Sequence, residues 1–221
     1  GAPDRNVSFT VPTGNFGDIF AGYIAKQMGL TVEKLVIATN QNDILHRTLE
    51  TGSYTTEGVI PSISPSMDIQ VSSNFERALF YAYDQDGNAV AEQMDSLKTG
   101  GAFKISQGAY EALKDTYASG RVSEQETSNM IQTAQAKMGE LLCPHSAVGV
   151  HVAQDHLGAT PMITLATAHP AKFPAAVEAA SNTHPPLPTR MADLYDRDET
   201  ITHVKGDTAA IQDIIRERIS A

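Results

Sequence analysis

The 221-residue sequence has one cysteine, Cys143, too little positive charge and no long apolar run. A single thiol cannot form an internal disulfide, and it suits a reducing compartment. Lys and Arg number 16 against 26 Asp and Glu, for a formal net charge of −10. No basic patch offsets that charge, which would repel nucleic acid and anionic membrane, so neither is expected as a partner. No stretch approaches the roughly 20 apolar residues that a membrane-spanning helix needs. The first residues, GAPDRN, are unlike a signal or transit peptide, so the cytoplasm is the default location. There is no internal repeat and no low-complexity tract. His145, His151 and His156 do not share a helix face as i, i+4 residues would, and no cysteine pair joins them, so no metal site is expected.

What is present is ordinary for a globular chain: 41% hydrophobic and 19% charged residues, with length for one domain or one and a half. The most informative stretch is residues 7–29, VSFTVPTGNFGDIFAGYIAKQMG. Val7, Phe9 and Val11 alternate with Ser8 and Thr10, which predicts a strand that Pro12 stops. Thr13 to Gly17 form a tight turn whose two glycines let the backbone approach a ligand. From Asp18 the period becomes helical, with Ile19, Phe20, Tyr23, Ile24 and Met28 near one face and Gly29 suited to the C′ position. A strand, a glycine turn and a helix start aim unpaired N–H groups at one point, which is an anion site. The turn lacks the GK[ST] of a P-loop and the G-x-G-x-x-G of a dinucleotide turn. On spacing alone it is either a phosphate loop or a plain βα turn.

Downstream, residues 34–38 read as a second buried strand and Asp43 as the cap of a helix ending near Gly52. Two strands joined by a helix imply a βαβ unit and a parallel sheet. Residues 58–68 are a loop. Helices follow over 73–83, with Phe75, Leu79 and Phe80 inward, then over 89–97 and over 107–117, the last ended by Gly120. Ser123 and Glu126 form a capping box for a helix burying Met130, Ile131, Ala134, Met138 and Leu141. Pro144 opens a helix that runs to Gly158. Residues 162–166 are a short strand with Thr167 at its C-terminal end, and a helix covers 172–180. After the stiff linker at 184–188, Asp207 caps a last helix with a core stripe of Ile211, Ile214, Ile215 and Ile219. The pattern is α/β, and ligands of such sheets bind beyond the strand C-termini. The glycine turn and Thr167 both follow strands, so they can meet at one site.

The wording of residues 11–26, VPTGNFGDIFAGYIAK, resembles the phosphate loop of threonine synthase, a fold-type II enzyme dependent on pyridoxal 5'-phosphate. Four further stretches carry the same resemblance in family order: ATNQND at 38–43, SPSMD at 64–68 with SNFER at 73–77, PHSAVG at 144–149, and TAHPAKF at 167–173. The resemblance implies a parallel-sheet fold of type II, with a helical insertion over about 73–142 and a C-terminal tail over about 184–221. It assigns the cofactor phosphate to Gly14, Asn15, Phe16, Gly17 and Asp18, mostly through backbone N–H groups. The Asp18 carboxylate is expected to turn away from the phosphate, favoured by the helix N-terminus. Thr167 would hydrogen-bond the pyridine nitrogen, leaving it unprotonated. Arg77 and Lys172 are candidates for the substrate's phosphate or carboxylate, or else solvated cations, with Ser73 and Asn74 as weaker candidates. His145 and His169 would shape the site. Cys143 stands where aspartate is often found and reads as inert packing.

The implied reaction converts O-phospho-L-homoserine and water to L-threonine and phosphate. The cofactor stabilises carbanions, phosphate leaves from Cγ, water adds at Cβ, and a lysine shuttles protons. That Schiff-base lysine belongs to an Ala-Phe-Lys-Asp stretch upstream of the glycine turn in the family. Ala102-Phe103-Lys104 imitates the stretch, but Ile105 follows it and it lies on the wrong side of the turn. The chain thus reads as the C-terminal portion of such an enzyme, without a catalytic residue of its own and lacking its N-terminal half as partner. Two alternatives stand beside this reading: a phospho-lyase on the same scaffold, and a non-catalytic ligand-binding fragment.

Overall fold

The computed structural model describes residues 4–220. The chain divides into two compact units, Gly1–Pro186 and Leu187–Ala221. The first opens with β1 (Val7–Pro12), α1 (Gly17–Gln27), β2 (Val32–Thr39), α2 (Ile44–Thr51) and β3 (Ser53–Thr55). Next come α3 (Phe75–Ala82), α4 (Gly87–Gly100), β4 (Ala102–Lys104), α5 (Gln107–Thr116) and β5 (Tyr117–Arg121). It closes with α6 (Glu124–Met138), α7 (Pro144–Gln154), β6 (Met162–Thr164) and α8 (Pro174–Ser181). The second unit holds two short 3₁₀ turns and α9 (Thr208–Ile219).

Four strands form one parallel sheet in the order β5-β2-β1-β6. With β1 beside β2 and β6, the sheet brings the ends of β1 and β6 to the same edge. The central strands are buried on both faces: Leu35, Val36, Ile37 and Ala38 are fully inaccessible, as a covered parallel sheet requires. A short antiparallel ribbon pairs β3 with β4, placing Tyr54 opposite Phe103 with rings stacked at 5.0 Å.

Several expected features hold. The Ser123–Glu126 capping box forms with both reciprocal bonds, and Asp207 accepts from Ala210 N–H at 3.0 Å. Gly29 takes the left-handed conformation after α1, with φ 106°. Others are corrected. Asp43 occupies the N-cap of α2 but makes no capping bond; its carboxylate takes Arg47 at 2.8 Å and Arg121 at 3.0 Å. Ion pairing outcompetes the neutral cap.

The helix expected over 107–117 ends at Thr116, and Tyr117 begins a strand. The Tyr117 ring is buried edge-on to Phe16, and Gly120 lets α7 cross closely: a Cβ there would lie 2.7 Å from Val152 Cγ1. Met138 is exposed because α6 stops there, Gly139 turning the chain at φ 71°. Phe80 is only half-buried, and Leu141 packs from beyond the end of α6. In α9, Ile211, Ile215 and Ile219 are exposed instead of forming a core stripe.

Helix α7 lies tight against the end of β1. A Cβ on Gly149 would stand 2.8 Å from Thr164 Cγ2 and 3.0 Å from the Pro12 ring. Gly149→Ala must therefore push the helix off the sheet. We expect a loss of about 1–3 kcal/mol, read as a lowered urea midpoint at unchanged slope; an unchanged midpoint would refute the close approach.

Candidate functional site

The turn after β1 is held from behind. Its peptide carbonyls are drawn to one side: Gly14 O accepts from Ser72 Oγ at 2.8 Å, and Asn15 O accepts from Asn74 N–H at 3.1 Å and Asn74 Nδ2 at 2.7 Å. In a trans peptide the N–H points opposite its carbonyl, so the Asn15 and Phe16 amides face the other way. The first N–H groups of α1 have no intrahelical acceptor. Among the described residues, none of the N–H groups of residues 14–19 forms a hydrogen bond. These donors border a cavity of about 210 Å³ lined by residues 11–19 and Asn74.

The left-handed residue of the turn is Phe16, at φ 67° and ψ 8°, and neither Gly14 nor Gly17. A non-glycine residue there costs about 1–3 kcal/mol. Burying its ring contributes about 1.5–3 kcal/mol, and edge contacts with Phe75 at 5.2 Å and Tyr117 at 5.3 Å add about 0.5–1.5 each. The balance favours the strained turn. The glycines serve closeness. A Cβ on Gly14 would come within 2.5 Å of Ser66 O, whereas one on Gly17 meets only Asn74 Nδ2 at 3.9 Å. Gly14 is needed by the protein's own packing; the space over Gly17 is left open.

A second cavity of about 170 Å³ adjoins the turn, sharing Pro12, Gly14 and Asp18 with the first. It is also lined by Ser66, His145, Thr167 and Lys172. Thus the sequence-predicted Gly14, Asp18, Thr167 and Lys172 converge on one place. Asp18 and Lys172 are exposed, and Thr167 is exposed three residues beyond β6. Arg77 is not brought there. It lines a separate, larger cavity between α3 and α4, near Glu76 and Asp95.

Sequence reasoning missed how the walls are fixed. His145, 4% exposed, accepts the Ser66 N–H on Nε2 at 3.2 Å and packs against Phe173 at 4.7 Å. Behind Ser66, Asp68 collects Asn40 Nδ2 at 2.8 Å, Asn42 Nδ2 at 3.0 Å and Ser62 Oγ at 2.5 Å. The ATNQND and SPSMD stretches are therefore one half-buried polar brace, with partners as such a network requires. His169 caps the 3₁₀ turn Pro170–Lys172, accepting from Ala171 N–H at 3.2 Å. Cys143 sits at the N-cap of α7, its sulfur accepting from Ser146 N–H at 3.3 Å, which is the task an aspartate performs there.

The site can hold a phosphate dianion on backbone amides, beside a polar slot ending in a hydroxyl and an ammonium group. Comparisons with known proteins identify what the chain is similar to. The family model described as "Threonine synthase, C-terminal" matches residues 146–215. A threonine synthase of Pseudomonas aeruginosa is 46% identical over 220 residues, covering 98% of this chain and 47% of the relative. The structure of pyridoxal-phosphate-bound threonine synthase from Brucella melitensis superposes with TM-score 0.92 at 52% identity, covering 100% of this chain and 48% of that one. Yeast threonine synthase superposes with TM-score 0.84 at 37% identity, again over 100% and 48%. The chain spans about half the length of these relatives.

Burial, reinforced by the Lys172 ammonium and opposed by Asp68, holds His145 below its ordinary pKa of 6.5. A neutral ring is what acceptance of the Ser66 N–H requires. The unfolded chain takes up a proton near pH 6.5 that the folded chain refuses, so stability falls as pH drops below 6.5 and levels off once the folded value is passed. Chemical denaturation between pH 5 and 7.5, given as approximate limits around the histidine range, should show this slope in the parent and a shallower one in His145→Gln. Equal slopes would contradict it.

Proposed function

Because this chain belongs to the threonine synthase family, of whose compared members it spans about half, we propose that it supplies the cofactor-phosphate cradle of a threonine synthase. That enzyme would convert O-phospho-L-homoserine and water to L-threonine and phosphate in threonine biosynthesis. The observation that carries this reading is the row of unpaired amides beside Gly17, whose open space a ligand can occupy. The amides of Gly14, Asn15, Phe16, Gly17 and Asp18 would hold the phosphate of pyridoxal 5'-phosphate, and the Thr167 hydroxyl its pyridine nitrogen. When bound, that cofactor supplies an electron sink for carbanion chemistry on the substrate.

The chain's own residues have three tasks in this account. The turn fixes the phosphate without a cationic side chain, so affinity comes from oriented amides and the helix start. The Asp18 carboxylate is exposed, which lets water screen its repulsion of the phosphate. Thr167, as a neutral hydroxyl, would leave the pyridine nitrogen without a proton. Lys172, lining the same cavity, is suited to a substrate anion by a charge-assisted bond. Arg77 is given no such role here, since it lines another cavity.

The test compares pyridoxal 5'-phosphate with pyridoxal on cofactor-free intact protein. Gly17→Val fills the cradle while meeting no protein atom closer than 3.9 Å at its Cβ, so folding should persist. Losing one or two charge-assisted bonds of about 1.5–3 kcal/mol each should weaken the phosphorylated ligand at least about tenfold and leave pyridoxal unchanged. Thr167→Ala should weaken both ligands alike. If Gly17→Val binds pyridoxal 5'-phosphate as tightly as the parent, the turn is not the cradle.

A further inference from the structure

Asn74 holds the N-cap position of α3, where an asparagine side chain ordinarily accepts an N–H of its own helix. It makes no capping bond. Its amide instead reaches across 59 residues of sequence to donate to Asn15 O at 2.7 Å, and its own N–H donates to the same oxygen at 3.1 Å. Two residues earlier, Ser72 is buried; its N–H donates to Tyr54 Oη at 2.9 Å, and its hydroxyl donates to Gly14 O at 2.8 Å.

Two consecutive carbonyls of the turn are thus captured by one short segment preceding α3. We infer that Ser72 and Asn74 are positioning residues of the anion cradle: by drawing the Gly14 and Asn15 carbonyls to one side, they present the Asn15 and Phe16 amides to a bound phosphate. The inference rests on the reading of the turn as a phosphate site. It gives Asn74 a task other than touching the substrate, and it accounts for a helix that forgoes its own cap. The segment needs no charge for this. A cationic residue there would compete for the phosphate, and an acidic one would repel the carbonyl oxygens and the ligand alike.

The geometry also explains why the turn has its register. With Phe16 anchored by its ring against Phe75 and Tyr117, and the two preceding carbonyls held, rotating the 14–15 or 15–16 peptide would break a hydrogen bond. A flipped 15–16 peptide would put a carbonyl oxygen where the phosphate belongs. The clamp excludes that alternative before any ligand arrives, which is preorganisation of the donors.

Asn74→Ser separates the clamp from mere folding. Serine is an accepted N-cap residue for α3 but too short to reach Asn15 O, so that carbonyl keeps only the backbone N–H of residue 74 and its hold is loosened. Thermal stability of the intact protein should be unchanged or raised. Affinity of the cofactor-free protein for pyridoxal 5'-phosphate should fall about five- to tenfold, as for loss of one oriented hydrogen bond. Affinity for pyridoxal, which lacks the phosphate, should not move. Ser72→Ala should do the same at Gly14. Equal weakening of both ligands, or no weakening of the phosphorylated one, overturns the inference while leaving the phosphate site standing. A parent protein that fails to prefer pyridoxal 5'-phosphate over pyridoxal overturns the site itself, and the clamp with it.

Discussion

The structure depends on the orientation of two peptide planes at the end of β1. Everything nearby either turns the Gly14 and Asn15 carbonyls backward or keeps the space in front of their amides clear. The left-handed backbone of Phe16 is the energetic crux, because an exposed phenylalanine would not hold that conformation. Its ring is 1% exposed, and the aromatic cluster of Phe75, Tyr117 and Tyr54 fixes it. Core packing is thereby converted into donor geometry.

The supports come from distant parts of the chain. The sheet order places β1 next to β6, so the glycine turn and the Thr167 segment share an edge. Helix α7 approaches β1 through Gly149 and delivers His145 to Ser66. Ser66 in turn touches Gly14 so closely that no side chain fits between them. The Asp68 brace ties that wall to the end of β2. Each link is a hydrogen bond or a van der Waals limit between named atoms, and removing one loosens the next.

Much of this was legible in the sequence where periodicity or capping chemistry is strong. The alternation of residues 7–11 falls in β1 (Val7–Pro12), the helical period after the turn in α1 (Gly17–Gln27), and the Ser123 box starts α6. The turn was recognisable as an amide site, but its strained residue was not, because glycines suggest that they carry the positive φ and here Phe16 carries it. Strand β5 was hidden because Ala118, Ser119 and Gly120 have no β-branched signal; the glycine is a packing demand of α7, and Ser119 pairs its hydroxyl with His46 of α2 at 2.9 Å. β3 and β4 are three residues each and exist only as each other's partners. The roles of Ser72 and Asn74 could not be read, since their acceptors lie 58 and 59 residues away. Asp43 looked like a cap until Arg121, 78 residues on, claimed its carboxylate. Long-range competition decided these cases.

The most direct test is a crystal structure of the intact protein with pyridoxal 5'-phosphate bound. The account predicts phosphate oxygens within hydrogen-bonding distance of the Asn15, Phe16 and Gly17 amides, with the Gly14 and Asn15 carbonyls still on Ser72 and Asn74. A phosphate seated away from the turn on lysine or arginine side chains, or a turn whose 15–16 peptide has flipped, would contradict it.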